Sequence, residues 1–142
     1  MTSDLLHDRT RASLYHLPAA RRAGLPGLAA KRRLALLPVA ADRYRNVNEV
    51  LHELGRALGF PAWYGGNLDA LHDCLTDPDW HPKRGVVVLI TGLEAAHHGD
   101  PSRFPTLLAV LRSAAESRSA DGAPLWILLD APAPGVRDLP EA

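Results

Sequence analysis

Three unbroken apolar runs of strand length divide the chain. They are LALLPVA at residues 34–40, VVVLIT at 86–91 and LWILL at 125–129. Continuous apolar runs of this length are typical of strands buried on both faces, as in parallel sheets. Pro38 in the first run favours a sheet edge or a strand end. The runs are too far apart along the chain for antiparallel hairpins, so we predict parallel strands.

Between the strands, apolar residues recur with helical spacing. NVNEVLHELGRALG (46–59) has this pattern, with Asn46 or Asn48 as N-cap and Gly59 as the stop. A second, short helix is predicted over about residues 68–76, with Asn67 as its N-cap, and a third over FPTLLAVLRSAAESRS (104–119). The order strand, helix, helix, strand, helix, strand predicts a small α/β domain with a buried parallel sheet.

The two ends of the chain are less regular. Residues 1–32 are basic and contain ASLYHLP, which has the composition of a short edge strand. The last twelve residues contain three prolines, which favours a flexible tail. We therefore divide the chain into an N-terminal extension over residues 1–32, with an extra strand as one alternative, an α/β domain over 33–130 and a tail over 131–142.

Length and composition restrict the class of protein. With 142 residues, of which 46% are hydrophobic, the chain is long and apolar enough for one domain with a core. No apolar run reaches the ~18 residues that a membrane helix needs. The N-terminal residues are charged rather than secretory in pattern, and Cys74 alone cannot form an internal disulfide. We expect a cytoplasmic protein without a membrane partner.

The net charge is zero but unevenly distributed. Residues 1–45 contain nine Arg or Lys and three Asp, a charge of +6, so residues 46–142 carry −6. A basic arm is one mark of nucleic-acid binding. These arginines lack the interleaved aromatics on which single strands stack, so we do not expect a nucleic-acid partner. The acidic remainder favours a cationic partner.

The acidic charge includes a compact segment, FPAWYGGNLDALHDCLTDPDW (60–80), with four aspartates and no Lys or Arg. On a helix, Asp69 and Asp73 lie on the same face, where like charges repel by a few tenths of a kcal/mol. The helix dipole offsets part of this cost for Asp69, which lies in the first turn. The simplest interpretation is a solvated helix face.

The residues around the two acids favour a second interpretation. Trp63 and Tyr64 lie in the loop before the helix, where two glycines allow a tight turn. His72 and Thr76 lie beside the acids. Carboxylates, an imidazole, an indole and a hydroxyl on one short helix and its loop are typical of an interface hot spot.

Residues 60–77, FPAWYGGNLDALHDCLTD, resemble the signature of the barstar family, intracellular inhibitors of secreted guanyl-specific ribonucleases of the barnase type. The signature has a proline, two aromatics, glycine, one variable residue, Asn-Leu-Asp-Ala-Leu, an aromatic, and Asp-Cys-Leu-Thr. A weaker resemblance covers about residues 33–130 and leaves 1–32 uncovered. The positions that match the signature are Pro61, Trp63, Tyr64, Gly65, Asn67, Leu68, Asp69, Ala70, Leu71, Asp73, Cys74, Leu75 and Thr76.

The resemblance implies a three-stranded parallel sheet with helices and a monomeric inhibitor that binds a basic, barnase-like ribonuclease without catalysis or cofactor. In the family, the aspartate at the position of Asp73 takes the place of the RNA phosphate against the cationic groups of the nuclease. Asp69 adds a second acid. This chain departs from the family at His72, where an aromatic is usual, and at Gly66, where an acid is common. The other partner-binding positions implied are Trp63, Asn67, His72, Thr76 and, on the late helix, Glu116.

Two other kinds of site are weaker alternatives. A zinc site would need His72, Cys74 and His81, or the pair His97 and His98, but no C-x-x-C or H-E-x-x-H spacing is present. An enzyme would use the two aspartates as an acid–base pair, or Cys74 as a nucleophile beside His72. The chain has no Gly-rich phosphate loop or nucleophile elbow, and Cys74 is more typical of a small buried residue.

The main alternative keeps the fold and changes the partner. An immunity protein, or antitoxin, with the same acidic helix would bind a different toxin.

Overall fold

The computed structural model describes residues 8–81, 85–119 and 123–140, so the ends of the N-terminal extension and of the tail lie outside the described residues. Short 3-10 turns occur at Arg9–Arg11 and Ala62–Tyr64. The strands are β1 (Leu14–His16), β2 (Ala35–Ala40), β3 (Val86–Thr91) and β4 (Leu125–Leu129). The helices are α1 (Ala19–Arg22), α2 (Leu25–Lys31), α3 (Val47–Leu58), α4 (Leu68–Leu75), α5 (Glu94–Gly99) and α6 (Phe104–Ser119).

The four strands form one parallel sheet in the order β1-β4-β3-β2. The predicted α/β fold with a parallel sheet is confirmed, and the three predicted strands are β2, β3 and β4. The sheet has one strand more than the three implied by the resemblance, because ASLYHLP contributes β1 beside β4. Pro38 lies on β2, which is an edge strand, as the missing N–H of proline favours.

The sheet is covered by apolar side chains on both faces. A row of paired residues, Leu37, Val88, Ile127 and Leu14, crosses all four strands on the face covered by α3, α4 and α6. The alternate residues of the two central strands point to the opposite face. There, Trp126 and its neighbours form a second apolar cluster with residues of β1 and α2.

Helix α3 begins and ends as its sequence predicts. The side-chain oxygen of Asn46 accepts a hydrogen bond from the backbone N–H of Glu49 at 2.8 Å. Gly59 follows the last turn with a φ of 68°, a left-handed conformation that favours glycine. This helix supports the loop that leads into α4.

The C-terminal segment lies along the outer edge of β1. The backbone N–H of His16 donates a hydrogen bond to the Arg137 carbonyl at 2.8 Å. The His16 carbonyl accepts a hydrogen bond from the backbone N–H of Leu139 at 2.7 Å. Leu139 is buried in the second apolar cluster, and Arg21 of α1 donates to its carbonyl. Part of the segment assigned to the tail from its sequence thus supplies partners for backbone groups on the outer edge of β1.

No helix in the described part of the chain is long and apolar enough to cross a membrane.

We predict that Leu139→Ala lowers the free energy of unfolding by about 2 kcal/mol, since it removes a buried leucine side chain from an apolar cluster. Urea denaturation followed by circular dichroism would measure the change. Pro134→Ala is the control, because Pro134 is an exposed residue of the same segment. Equal stability of both variants and the wild type would contradict the packing of this segment.

Candidate partner-binding surface

Helix α4 buries one face and exposes the other. The side-chain oxygen of Asn67 accepts a hydrogen bond from the backbone N–H of Ala70 at 2.8 Å and so caps the helix. Leu71, Cys74 and Leu75 are buried in the core, and α4 packs against α6 and α3. Because the apolar residues fix the rotation of the helix, the polar residues between them face solvent.

Asp69 and Asp73 are the two acids that this rotation exposes. They are one helical turn apart, and Asp69 lies in the first turn. Among residues 8–81, 85–119 and 123–140, no ion pair or hydrogen bond involves either carboxylate. Both negative charges are therefore available to a partner molecule.

The exposed acids of α4, Asp69 and Asp73, do not form a line that continues to Asp77. The helix ends at Leu75, with Thr76 as its C-cap. The Asp77 carboxylate turns back to accept the backbone N–H of Asp79 at 2.8 Å, as aspartate often does in a turn. Asp77 is thereby part of the loop geometry rather than a third member of the exposed line.

The turn before α4 separates its two aromatic residues. Trp63 is 56% exposed, whereas Tyr64 is buried and donates its hydroxyl to the Leu51 carbonyl at 2.7 Å. Burial raises the pKa of Tyr64 well above its usual value, which keeps the hydroxyl protonated as a donor. Tyr64 therefore fixes the turn on α3 while Trp63 projects into solvent.

Gly55 of α3 provides the space for Tyr64. A Cβ atom at this position would lie 2.5 Å from the tyrosine ring, closer than carbon atoms approach without a shift. The sequence pattern does not identify this residue, because a glycine within a helix gives no sign of what packs against it.

His72 and Thr76 lie at the edge of the exposed face. His72 Nε2 is 3.3 Å from the Ser113 hydroxyl of α6. The Thr76 hydroxyl donates to the His72 carbonyl at 2.7 Å, and its lone pairs remain available for a partner's donor. Ser113 is a further residue of this surface that the sequence did not identify.

Glu116 lies one turn after Ser113 on α6 and is exposed. Its carboxylate accepts a hydrogen bond from the Ser13 hydroxyl at 3.0 Å. Glu116, predicted as a partner-binding acid, thus contacts the segment before β1. Ser113, one turn earlier on α6, is the residue that contacts α4.

Arg118, also on α6, fixes the C-terminal end of α4. Its side chain is buried, and the guanidinium donates to the carbonyls of Leu75 at 3.3 Å and Trp80 at 2.9 Å. It also lies over the Trp80 ring, 5.3 Å from the ring centroid. Two further carbonyls, those of His81 and Ala123, accept from the same group. One cation therefore satisfies backbone acceptors that the end of the helix and its loop would otherwise leave unpaired.

The geometry does not favour the metal or nucleophile interpretations. In the part of the chain that the structure describes, no three His, Cys, Asp or Glu side chains lie close enough together to hold a metal ion. Cys74 is 1% exposed, and burial raises the pKa of its thiol, as do the nearby carboxylates of Asp77 and Asp73. A buried thiol with a raised pKa is a poor nucleophile.

Comparison with solved structures relates the fold to parts of larger proteins. The ORC2 protein of Aeropyrum pernix, in ADPNP–ADP complexes, is 19% identical at a TM-score of 0.59, over 89% of this chain and 37% of that one. Drosophila ORC bound to DNA is 15% identical at a TM-score of 0.52, over 96% of this chain and 35% of that one. This chain spans little more than a third of either, and such low identities show a shared fold alone.

Sequence comparison gives the family. No curated protein matches the chain. The family described as Barstar (barnase inhibitor) matches residues 34–130, which is more than half of the chain and includes the whole of α4 and its preceding turn. With the capped helix, its two exposed acids and the parallel sheet behind it, this match shows that the chain belongs to the Barstar (barnase inhibitor) family.

Proposed function

We propose that this protein inhibits a secreted, guanyl-specific ribonuclease of the barnase type. Helix α4 and the turn before it enter the active-site cleft of the enzyme and exclude RNA. The observation that carries the proposal is the pair of exposed carboxylates, Asp69 and Asp73, without a cation from the described chain. We further propose that the inhibitor acts in the cytoplasm and is a monomer when free.

The chemistry of the target explains why carboxylates would bind there. A ribonuclease must place cationic groups around the phosphoryl centre to stabilise the charge that develops on it. A carboxylate accepts a charge-assisted, bidentate hydrogen bond from an arginine of such a site. In this proposal Asp73 takes the position of the RNA phosphate, and Asp69, one turn away, binds a second cationic group.

The neighbouring side chains supply the rest of the contact. Trp63 exposes a large aromatic surface. Tryptophan is one of the residue types most enriched among interface hot spots. Asn67 uses its oxygen for the helix cap, so its amide N–H groups can donate to the enzyme. His72 and Thr76 complete the rim of the contact.

Rigidity and charge both favour association. The cap of α4, its buried face and the Tyr64 anchor hold the surface in place, so little conformational entropy is lost on binding. The charge of −6 on residues 46–142 attracts a basic enzyme from a distance and raises the association rate.

A different toxin is the second candidate for the partner. Gly66, where the family commonly has an acid, has a φ of 67°, and a Cβ atom there would lie 2.7 Å from the His52 ring. A glycine is thus favoured at a position that is acidic in many relatives, and His72 replaces an aromatic. These two changes alter the surface of α4 and of the turn before it, and favour a cleft of different shape.

We predict that Asp73→Asn weakens inhibition by on the order of 100-fold, because a buried charge pair that loses one member costs about 3 kcal/mol or more. The measurement is RNA cleavage by a panel of purified guanyl-specific ribonucleases, titrated with inhibitor. Asp42→Asn is the matched control, since it removes one exposed aspartate outside α4.

Strong wild-type inhibition that survives Asp73→Asn would show that α4 does not occupy the active site. An inhibitor that acts on none of the panel but neutralises another toxin, with loss in Asp73→Asn, would support the second candidate.

Arg118 is proposed as a positioning residue for this surface, because its guanidinium fork joins the end of α4 to the following loop. We predict that Arg118→Lys, which keeps the charge but loses the fork, weakens inhibition about tenfold and speeds amide hydrogen exchange in residues 75–81. Arg112→Lys is the control, since Arg112 lies on the same helix and donates to Gly135 instead. If Arg118→Lys lowers stability while inhibition and exchange in this loop stay unchanged, the residue supports the fold only.

A further inference from the structure

A cavity of about 550 Å³ lies at the junction of three segments that are distant in the sequence. Residues 10–15 form one wall, α6 forms the second, and the segment after β4 forms the third. Its volume is within the range of small-molecule sites, about 300–1,000 Å³. Two of its three walls lie outside residues 34–130, so most of the cavity is separate from the part of the chain that the family match covers.

Each wall contributes one arginine. Arg112 of α6 donates to the Gly135 carbonyl at 2.7 Å, which fixes its guanidinium beside the third wall. Arg137 lies over the Tyr15 ring, 5.5 Å from the ring centroid, and is oriented by this contact. Arg11 completes the group from the first wall and is exposed. Two of the three cations are thus held in position before any ligand arrives.

In the described part of the chain, these cations are not paired with carboxylates. Within residues 8–81, 85–119 and 123–140, none of the three guanidinium groups forms an ion pair. Among the described residues that line the cavity, the one carboxylate is that of Glu116, which accepts a hydrogen bond from Ser13. Asp8, next to the wall, accepts hydrogen bonds from Thr10. Three arginines against one carboxylate give the described lining residues a charge of +2.

We propose that this cavity binds a small molecule that carries a phosphate group. The planar fork of arginine matches the oxygens of a phosphate, which can accept from two guanidinium groups at once. A phosphate monoester or pyrophosphate carries about two or more negative charges near neutral pH, whereas a single carboxylate carries one. The charge of +2 on the described lining and the presence of one arginine on each wall therefore favour phosphate over a monocarboxylate.

Isothermal titration calorimetry of the full chain with pyrophosphate, at constant ionic strength, tests the proposal. We expect saturable binding to one site with a Kd on the order of 0.1 mM or lower. In Arg11→Gln, binding weakens about tenfold, because a charge-assisted hydrogen bond is lost. This variant should fold normally, since the Arg11 side chain is exposed and forms no hydrogen bond or ion pair with another described residue.

Two controls make the result specific. Arg45→Gln removes an exposed arginine that does not line the cavity, so its Kd should match that of the wild type. In the amide spectrum, pyrophosphate should shift residues 10–15, 112–116 and 135–137. Absence of saturable binding, equal weakening in both variants, or shifts outside these residues would each overturn the proposal. Citrate that binds as tightly as pyrophosphate would show a general anion site and overturn the phosphate assignment.

Discussion

The contact between the apolar face of α4 and the core determines what this protein presents to a partner. Leu71, Cys74 and Leu75 are buried. Burial of one leucine side chain stabilises the folded state by about 1.5–3 kcal/mol. The mutual repulsion of Asp69 and Asp73 is a few tenths of a kcal/mol. Because the first quantity is several times larger, the helix keeps this rotation and both acids remain outward in the absence of a partner.

Local signals in the sequence were sufficient for most of the fold. The three apolar runs correspond to β2, β3 and β4, and the caps at Asn46 and Asn67 form the predicted hydrogen bonds. The short helices α1, α2 and α5 were not predicted, since each is too short for a clear apolar period. The position of residues 131–140 was not predicted either, because it depends on pairing with β1, over 115 residues earlier.

The part of the candidate surface that comes from one continuous segment of the chain was predictable. Asp69, Asp73 and Trp63 lie on the predicted helix and turn, and all three are exposed. Ser113 and Arg118 contact α4 from α6, and their roles depend on which helix packs beside α4. No spacing in the sequence indicates that an arginine will donate to four backbone carbonyls of other segments.

The fourth strand has a consequence for the sheet as a whole. Strand β4 is buried along its entire length and reads LWILL. Without β1 it would be an edge strand, with a row of unpaired backbone groups and no charge or proline to block pairing with another chain. In this structure β1 supplies the hydrogen-bonding partners for that edge of β4. A chain shortened to start at residue 34, where the family match begins, would keep the residues of α4 but lack β1. The apolar edge of β4 would then be unpaired.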